Sequence, residues 1–123
     1  MAKKILIVED NPDNMSLVVF LLQSAGHTVL TAMNAEVGLA LAGEQVPNLI
    51  LMDIQLPGMD GLEATRQLKR GAMTHAIPVI ALTALAMKGD EERIRAAGCD
   101  GYIAKPIRYQ DFLSTVAAQL ARA

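Results

Sequence analysis

Ile5-Leu6-Ile7-Val8, Leu49-Ile50-Leu51-Met52 and Ile77-Pro78-Val79-Ile80-Ala81-Leu82 are continuous apolar runs, and the first two stop abruptly at acids, Glu9-Asp10 and Asp53. Such short runs suit strands buried on both faces, as in a parallel sheet, although one run alone does not separate a strand from a buried helix. The segments between them decide the matter. Asn11-Pro12 reads as an N-cap followed by proline in the first helical turn. Met15, Val18, Val19 and Leu22 then recur at helical spacing, and that helix ends near Gly26. Thr28–Thr31 is a second strand, and Asn34 can cap a second helix in which Val37 and Leu41 share a face. Pro57–Gly61 is a loop by composition, and Leu62–Arg70 a third helix. Asp90-Glu91-Glu92 open a fourth helix that closes near Gly98, with Arg93 and Arg95 towards its end. Gly101–Ala104 is a short fifth strand. Tyr109, Phe112, Leu113, Val116, Ala117 and Leu120 form the stripe of a fifth helix. Five strands alternating with five helices predict an α/β fold, a doubly wound five-stranded parallel sheet with helices on both faces and right-handed crossovers.

Composition narrows the class. With 123 residues, 52% hydrophobic and 20% charged, the chain is neither disordered nor in need of staples. Its longest apolar run, Leu17–Leu22, is far short of the roughly 20 residues of a membrane span. The first residues carry no stretch suited to a secretory signal. A formal charge of −2 and only four aromatics (Phe20, Tyr102, Tyr109, Phe112) give no footprint for nucleic acid. Cys99 is alone, which excludes an internal disulfide or a multi-cysteine zinc site. Neither repeats nor linkers appear, so the expectation is one domain over 1–123, placed in the cytoplasm without membrane insertion.

Ligands of such sheets bind outside the carboxyl ends of the strands. Those ends carry Glu9-Asp10, Asp53, Thr83 and Lys105-Pro106. Clustered carboxylates repel one another unless a cation sits among them, and a hard divalent ion bound through oxygen suits this set better than zinc or copper. Each residue also has an ordinary reading. Asp10 serves equally well as the start of a helix, Asp53 as a turn former, Thr83 as a common strand-end residue and Lys105 as a solvated surface lysine. Only their joint occurrence at four strand ends favours a site.

Ile7-Val8-Glu9-Asp10-Asn11, Leu51–Gly61, Leu82-Thr83-Ala84 and Tyr102-Ile103-Ala104-Lys105-Pro106 together resemble the receiver domain of bacterial two-component response regulators, in order and across essentially the whole chain. Ala86–Arg95, with Gly98-Cys99, further resembles single-domain cell-cycle members of that family. The resemblance implies a flavodoxin-like, CheY-like sheet of strand order 2-1-3-4-5. It also implies a phosphorylation-switched signalling protein that is not an enzyme beyond its own phosphorylation and dephosphorylation. Asp53 would accept a phosphoryl group from a histidine kinase or phosphotransfer protein. Asp10 would ligate Mg²⁺ (or Mn²⁺) directly, Glu9 through water, and Gln55 through its backbone carbonyl. Thr83 and Lys105 would contact the phosphoryl oxygens, Tyr102 would be the switch aromatic, and Lys105–Pro106 would be cis. The Gln55 side chain would tune hydrolysis, and Ala84 would leave the site open.

With no output domain expected, signalling would pass to a protein target through the face of the fourth helix, fifth strand and fifth helix. A phosphorelay intermediate that passes the group onward is the alternative. A Mg²⁺-dependent phosphatase with an aspartate nucleophile is a third reading, but it needs an aspartate where Gln55 stands. Nucleotide binding lacks its motifs, since Gly58…Gly61 is a lone G-x-x-G. Gly61 is read as serving loop geometry, Cys99 as a small buried hydrophobe and the methionines as core filler, and His27 and His75 receive no role.

Overall fold

Both faces of the central sheet are buried, which is why its strands read as unbroken apolar runs rather than as alternation. A computed structural model of the chain describes residues 3–84 and 88–122. The elements run β1 (Lys4–Val8), α1 (Pro12–Ser24), β2 (Thr28–Ala32), α2 (Ala35–Gln45), β3 (Leu49–Asp53), α3 (Gly61–Arg70), β4 (Val79–Thr83), α4 (Lys88–Ala96), β5 (Gly101–Ala104) and α5 (Tyr109–Arg122). All neighbouring strands are parallel, in the order β2-β1-β3-β4-β5. Ala86 and Met87, part of the segment that suggested the narrower resemblance, lie outside the described residues.

Alternate residues of each strand feed two separate cores. Ile5, Ile7, Leu49, Leu51, Ile80, Leu82 and Ile103 pack against Met15, Val18, Leu21 and Leu22 of α1 and Phe112 and Val116 of α5. Leu6, Val8, Ile50, Met52, Val79 and Ala81 face α2, α3 and α4 through Ala35, Ala42, Leu62, Ala64, Leu68 and Ile94. The odd-numbered residues of β1, β3 and β5 therefore look towards α1 and α5, a parity that carries directly into the site.

Local chemistry sets the helix starts. The side chains of Asn11, Asn34 and Asp60 accept hydrogen bonds from the backbone N–H groups of Asn14, Val37 and Glu63 at 3.0, 2.9 and 2.8 Å. Asp60 thus caps α3, and Gly61 is that helix's first residue rather than part of a loop. Gly61 also lies outside the left-handed region, so its conformation does not demand glycine.

Three expectations shift. The buried face of α2 runs through Ala35, Gly38 and Ala42, while Val37 remains 45% exposed. The reason is close packing: a Cβ on Gly38 would lie 2.7 Å from Val8 Cγ2, so small residues rather than bulky ones set the contact. On α5 Phe112 and Val116 are buried, but Tyr109 stays 57% exposed at the helix start. Of the methionines, Met15 and Met52 belong to the core whereas Met33 and Met73 are exposed.

Val46 closes α2 at φ 43° and ψ 67°, a left-handed conformation that a β-branched residue adopts only at a cost. Replacing Val46 by Gly should raise the free energy of urea unfolding by about 0.5–1 kcal/mol after allowing for the larger unfolded-state entropy of glycine, with an unchanged m-value.

Candidate functional site

The carboxyl ends of β1, β3 and β5 bring Glu9, Asp53 and Lys105 onto the α1/α5 side of the sheet by the same odd parity. Asp53 ends β3 and is 2% exposed, and Glu9, one residue past β1, is fully buried. Asp10 follows Glu9 and reaches solvent. One carboxylate oxygen from each of these three acids lies within 4.8 Å of the others.

Lys105 holds this cluster together. Its Nζ donates to Asp53 Oδ2 at 3.1 Å and lies 2.9 Å from Glu9 Oε1. The other Asp53 oxygen, Oδ1, accepts the backbone N–H of Gln55 at 2.9 Å. The lysine is tied to β4 by its own backbone, whose N–H donates to the Thr83 carbonyl at 2.7 Å. The Lys105–Pro106 peptide is cis. Thr83, 1% exposed, ends β4 opposite Ala104. It continues along β4 the alternation that places Val79 and Ala81 in the core under α2, α3 and α4.

Burial opposes charge on all three inner groups, and their contacts divide the outcome. Burial first, and the neighbouring Asp53 second, push the Glu9 carboxyl up to about 7, with Lys105 acting in the opposite direction. For Asp53 burial also favours the proton, but hydrogen bonds from Glu9 and from the Gln55 N–H, with the Lys105 ammonium, outweigh it and hold the group below its ordinary value. Burial likewise works against the Lys105 charge, yet its bonds to Glu9 and Asp53 raise its pKa above the usual lysine range. The same surroundings therefore divide the pair: Asp53 is held below its ordinary value while Glu9 is pushed above its own.

The oxygens also suit a hard divalent cation. Glu9 Oε1 is buried and accepts no well-directed hydrogen bond among the described residues, despite its ion pair with Lys105. A buried oxygen served only by the Lys105 ammonium, beside two further carboxylates, forms an all-oxygen donor set with a side open to water, as Mg²⁺ prefers.

The structure brings Glu9, Asp10, Asp53, Gln55, Thr83 and Lys105 to one edge. Tyr102 sits further back on β5, 36% exposed and paired with Ala81. His27 and His75 are engaged at other places, with Lys3 N–H and the Gly71 carbonyl. Cys99 is buried, and burial pushes its thiol above the ordinary range, as for a small core residue. Sequence reasoning missed the cap Asp60, although Asp60-Gly61-Leu62-Glu63 carries the D-x-x-E signal of a helix start.

The model of the response regulator receiver domain matches residues 5–117. Over 123 residues, 100% of both chains, the sequence is 50% identical to the polar-differentiation response regulator DivK of Brucella anthropi. Among solved structures it is similar to the receiver domain of a sensor histidine kinase from Pseudomonas aeruginosa PAO1, which has a magnesium ion coordinated in its active-site cleft. That likeness has 34% identity and a TM-score of 0.91, and covers 98% of this chain and 99% of the other. A CheY-like receiver domain protein from Methanospirillum hungatei JF-1 is 30% identical with a TM-score of 0.91, covering 99% and 96%.

The raised Glu9 pKa makes a signed prediction. The unfolded chain releases this proton near the ordinary value of 4.5 and the folded protein near 7, so folded protein binds more protons between these limits. Stability contributed by protonated Glu9 is thus complete below pH 4.5 and lost as pH rises towards 7. Asp53 runs the other way, but its loss falls at more acid pH, below its ordinary 3.8. Urea unfolding in the presence of a chelator should show a declining contribution from pH 4.5 to 7 that Glu9→Gln removes.

Proposed function

The chain belongs to the response regulator receiver domain family, and from that premise we propose that Asp53 is the residue that accepts the phosphoryl group. It is a DivK-like receiver domain of a two-component response regulator, and phosphorylation-switched signalling is the general function of its family. Members are signalling proteins rather than conventional enzymes, and they interact with kinases or phosphotransfer proteins. The observation that carries the proposal is a single buried carboxylate kept ionised by Lys105 and Gln55 at the carboxyl edge of the sheet.

On this reading an Asp53 carboxylate oxygen attacks phosphorus while the phosphorus–nitrogen bond of a phosphohistidine donor breaks. The product is an acyl phosphate, and the imidazole leaves. Little covalent assistance is needed, so positioning and charge compensation carry the catalysis. Lys105 compensates the incoming oxygens, and the Gln55 N–H fixes the carboxylate. Asp10, Asp53 and the Gln55 carbonyl would hold Mg²⁺ (Mn²⁺ being the substitute), with Glu9 acting through water. When bound, that ion would supply positive charge to offset the negative charge that gathers at the site. The phosphatase reading gives way here, because the position two beyond Asp53 offers a backbone N–H from Gln55 and no second carboxylate.

For output we assign Thr83 and Tyr102 as a coupled pair. Both follow the strand parity that faces the α4 side, and their strands are paired in register from Ile80 with Gly101 to Thr83 with Ala104. A cavity of about 370 Å³ beside Tyr102, lined also by Ala104, Arg108, Asp111 and Thr115, lies between β5 and α5 on the face we assign to output. We further assign residues 1–123 to one receiver domain acting through protein contacts. Its compartment is the cytoplasm, where a lone thiol such as Cys99 stays reduced. Among the described residues no helix is long and apolar enough to cross a membrane.

Incubation with acetyl phosphate and Mg²⁺, read by intact mass, tests the acceptor. The protein should gain one phosphoryl group, and Asp53→Asn should fall to background. Asp10→Ala should lose metal-dependent labelling and Mg²⁺ affinity while remaining folded. Labelling of Asp53→Asn at the wild-type rate would show the assignment to be wrong.

Thr83→Ala should still be labelled. It should lose most of the roughly 5- to 150-fold change in partner affinity expected of typical coupling between two sites. Equal discrimination by Thr83→Ala and wild type would refute the Thr–Tyr pair.

A further inference from the structure

The backbone that carries Asp53 is braced from behind by the first turn of α3. A Cβ on Gly61 would collide with the carbonyl oxygen of Asp53, and it would lie 2.7 Å from Ile54 Cα and 2.8 Å from the Asp53 carbonyl carbon. These are backbone atoms, which cannot swing aside as a flexible side chain can. Gly61 is not in the left-handed region, so the requirement for glycine here is one of space alone.

The opposite side of the segment cannot give either. Ile54 N–H donates to the Leu82 carbonyl at 3.2 Å, and Gln55 N–H donates to Asp53 Oδ1 at 2.9 Å. A backbone shift at Asp53–Ile54 therefore strains the bond that orients the carboxylate. Gly61 is itself fastened. The hydroxyl of Thr65, fully buried, donates to the Gly61 carbonyl at 2.8 Å, and Cys99 Sγ approaches that hydroxyl at 3.9 Å. Asp60 caps the same turn through Glu63 N–H.

We propose that Gly61 and Thr65 are positioning residues for phosphoryl transfer: they seat the first turn of α3 against the Asp53–Ile54 backbone and so fix the carboxylate against Gln55 N–H. This rests on the assignment of Asp53 as the phosphoryl acceptor. Neither residue touches the reacting atoms. Thr65 acts through Gly61, and Gly61 through the backbone of the nucleophile. Misplacing a reacting group by about 1 Å can cost roughly 100-fold in rate, so a small steric change at the first residue of α3 should be felt in the chemistry.

Two readouts separate positioning from general destabilisation. The first is the rate of labelling by acetyl phosphate and Mg²⁺ at saturating and limiting acetyl phosphate. The second is the ¹H–¹⁵N resonance of Gln55, whose N–H bonds Asp53 Oδ1 and reports carboxylate placement without any phosphorylation. Gly61→Ala should remain folded by circular dichroism, label roughly 10- to 100-fold more slowly at saturation, and shift the Gln55 resonance. Thr65→Val should shift it in the same direction with a smaller loss of rate, and Thr65→Ser, which keeps the hydroxyl, should restore both to near wild type.

A folded Gly61→Ala with unchanged rate overturns the proposal. So does a slowed variant whose Gln55 resonance has not moved. If Gly61→Ala does not fold, Thr65→Val decides: wild-type rate and resonance there overturn it, and a joint change reversed in Thr65→Ser supports it. If wild type and Asp53→Asn label alike, the acceptor assignment has failed, and the Gln55 resonance alone then judges whether Gly61 and Thr65 place that carboxylate.

Discussion

One ammonium between two buried carboxylates organises this molecule. Glu9 and Asp53 are almost completely removed from water, and Lys105 Nζ lies 2.9 and 3.1 Å from their oxygens. Removing such charges from water costs several kcal/mol per ion, and attraction offsets that only with good geometry and further hydrogen bonds. Asp53 has them, through Gln55 and Lys105. Glu9 is served less well, and its carboxyl responds by retaining a proton into the neutral range. The cluster thus holds one cation for two buried carboxyl groups, and Asp10 beside it adds a third.

The fold is what makes this arrangement possible. Parallel strands place all their carboxyl ends at one edge, and strand parity turns residues 9, 53 and 105 to the same side. The adjacency of β1 and β3 sets the acids side by side, while β5 at the sheet edge lets a lysine reach inward across the end of β4. Short contacts between elements then hold the edge in place: Gly38 lets α2 settle on Val8, just before Glu9, and Gly61 lets α3 settle on Asp53. Bulk is excluded where the site is braced.

Much of this was legible in the residues themselves. The apolar runs ending at Glu9 and Asp53, the caps Asn11 and Asn34 and the alternation of elements predicted five strands and five helices. The strand ends named the groups that meet. Less legible was whatever depends on distance between elements. Val37 and Leu41 have helical spacing, but the approach of α2 to Val8 rotates the buried face onto Ala35, Gly38 and Ala42. Gly61 looked like a turn residue because a glycine that makes room for another backbone carries the same letter as one that adopts a positive φ. The unequal protonation of Glu9 and Asp53 was likewise invisible, since it follows from burial and from which oxygen meets Lys105 or Gln55.

That inequality connects stability with signalling. A conformational equilibrium shifts only by the difference in interaction energy that a ligand or modification has with its two states. A phosphoryl group on Asp53 would bring more negative charge to an edge whose one inner cation is already shared between two carboxylates. Lys105 would then have to divide its hydrogen bonds differently. Its backbone N–H is bonded to the Thr83 carbonyl, so on the proposed reading the ends of β4 and β5 would be the first elements to register the change. Beyond them along β5 lies Tyr102, paired with Ala81 and half open to solvent. The sparse bonding of Glu9, a defect when judged by stability alone, would leave the site sensitive to added charge, and the Lys105–Thr83 link would give that sensitivity a direction.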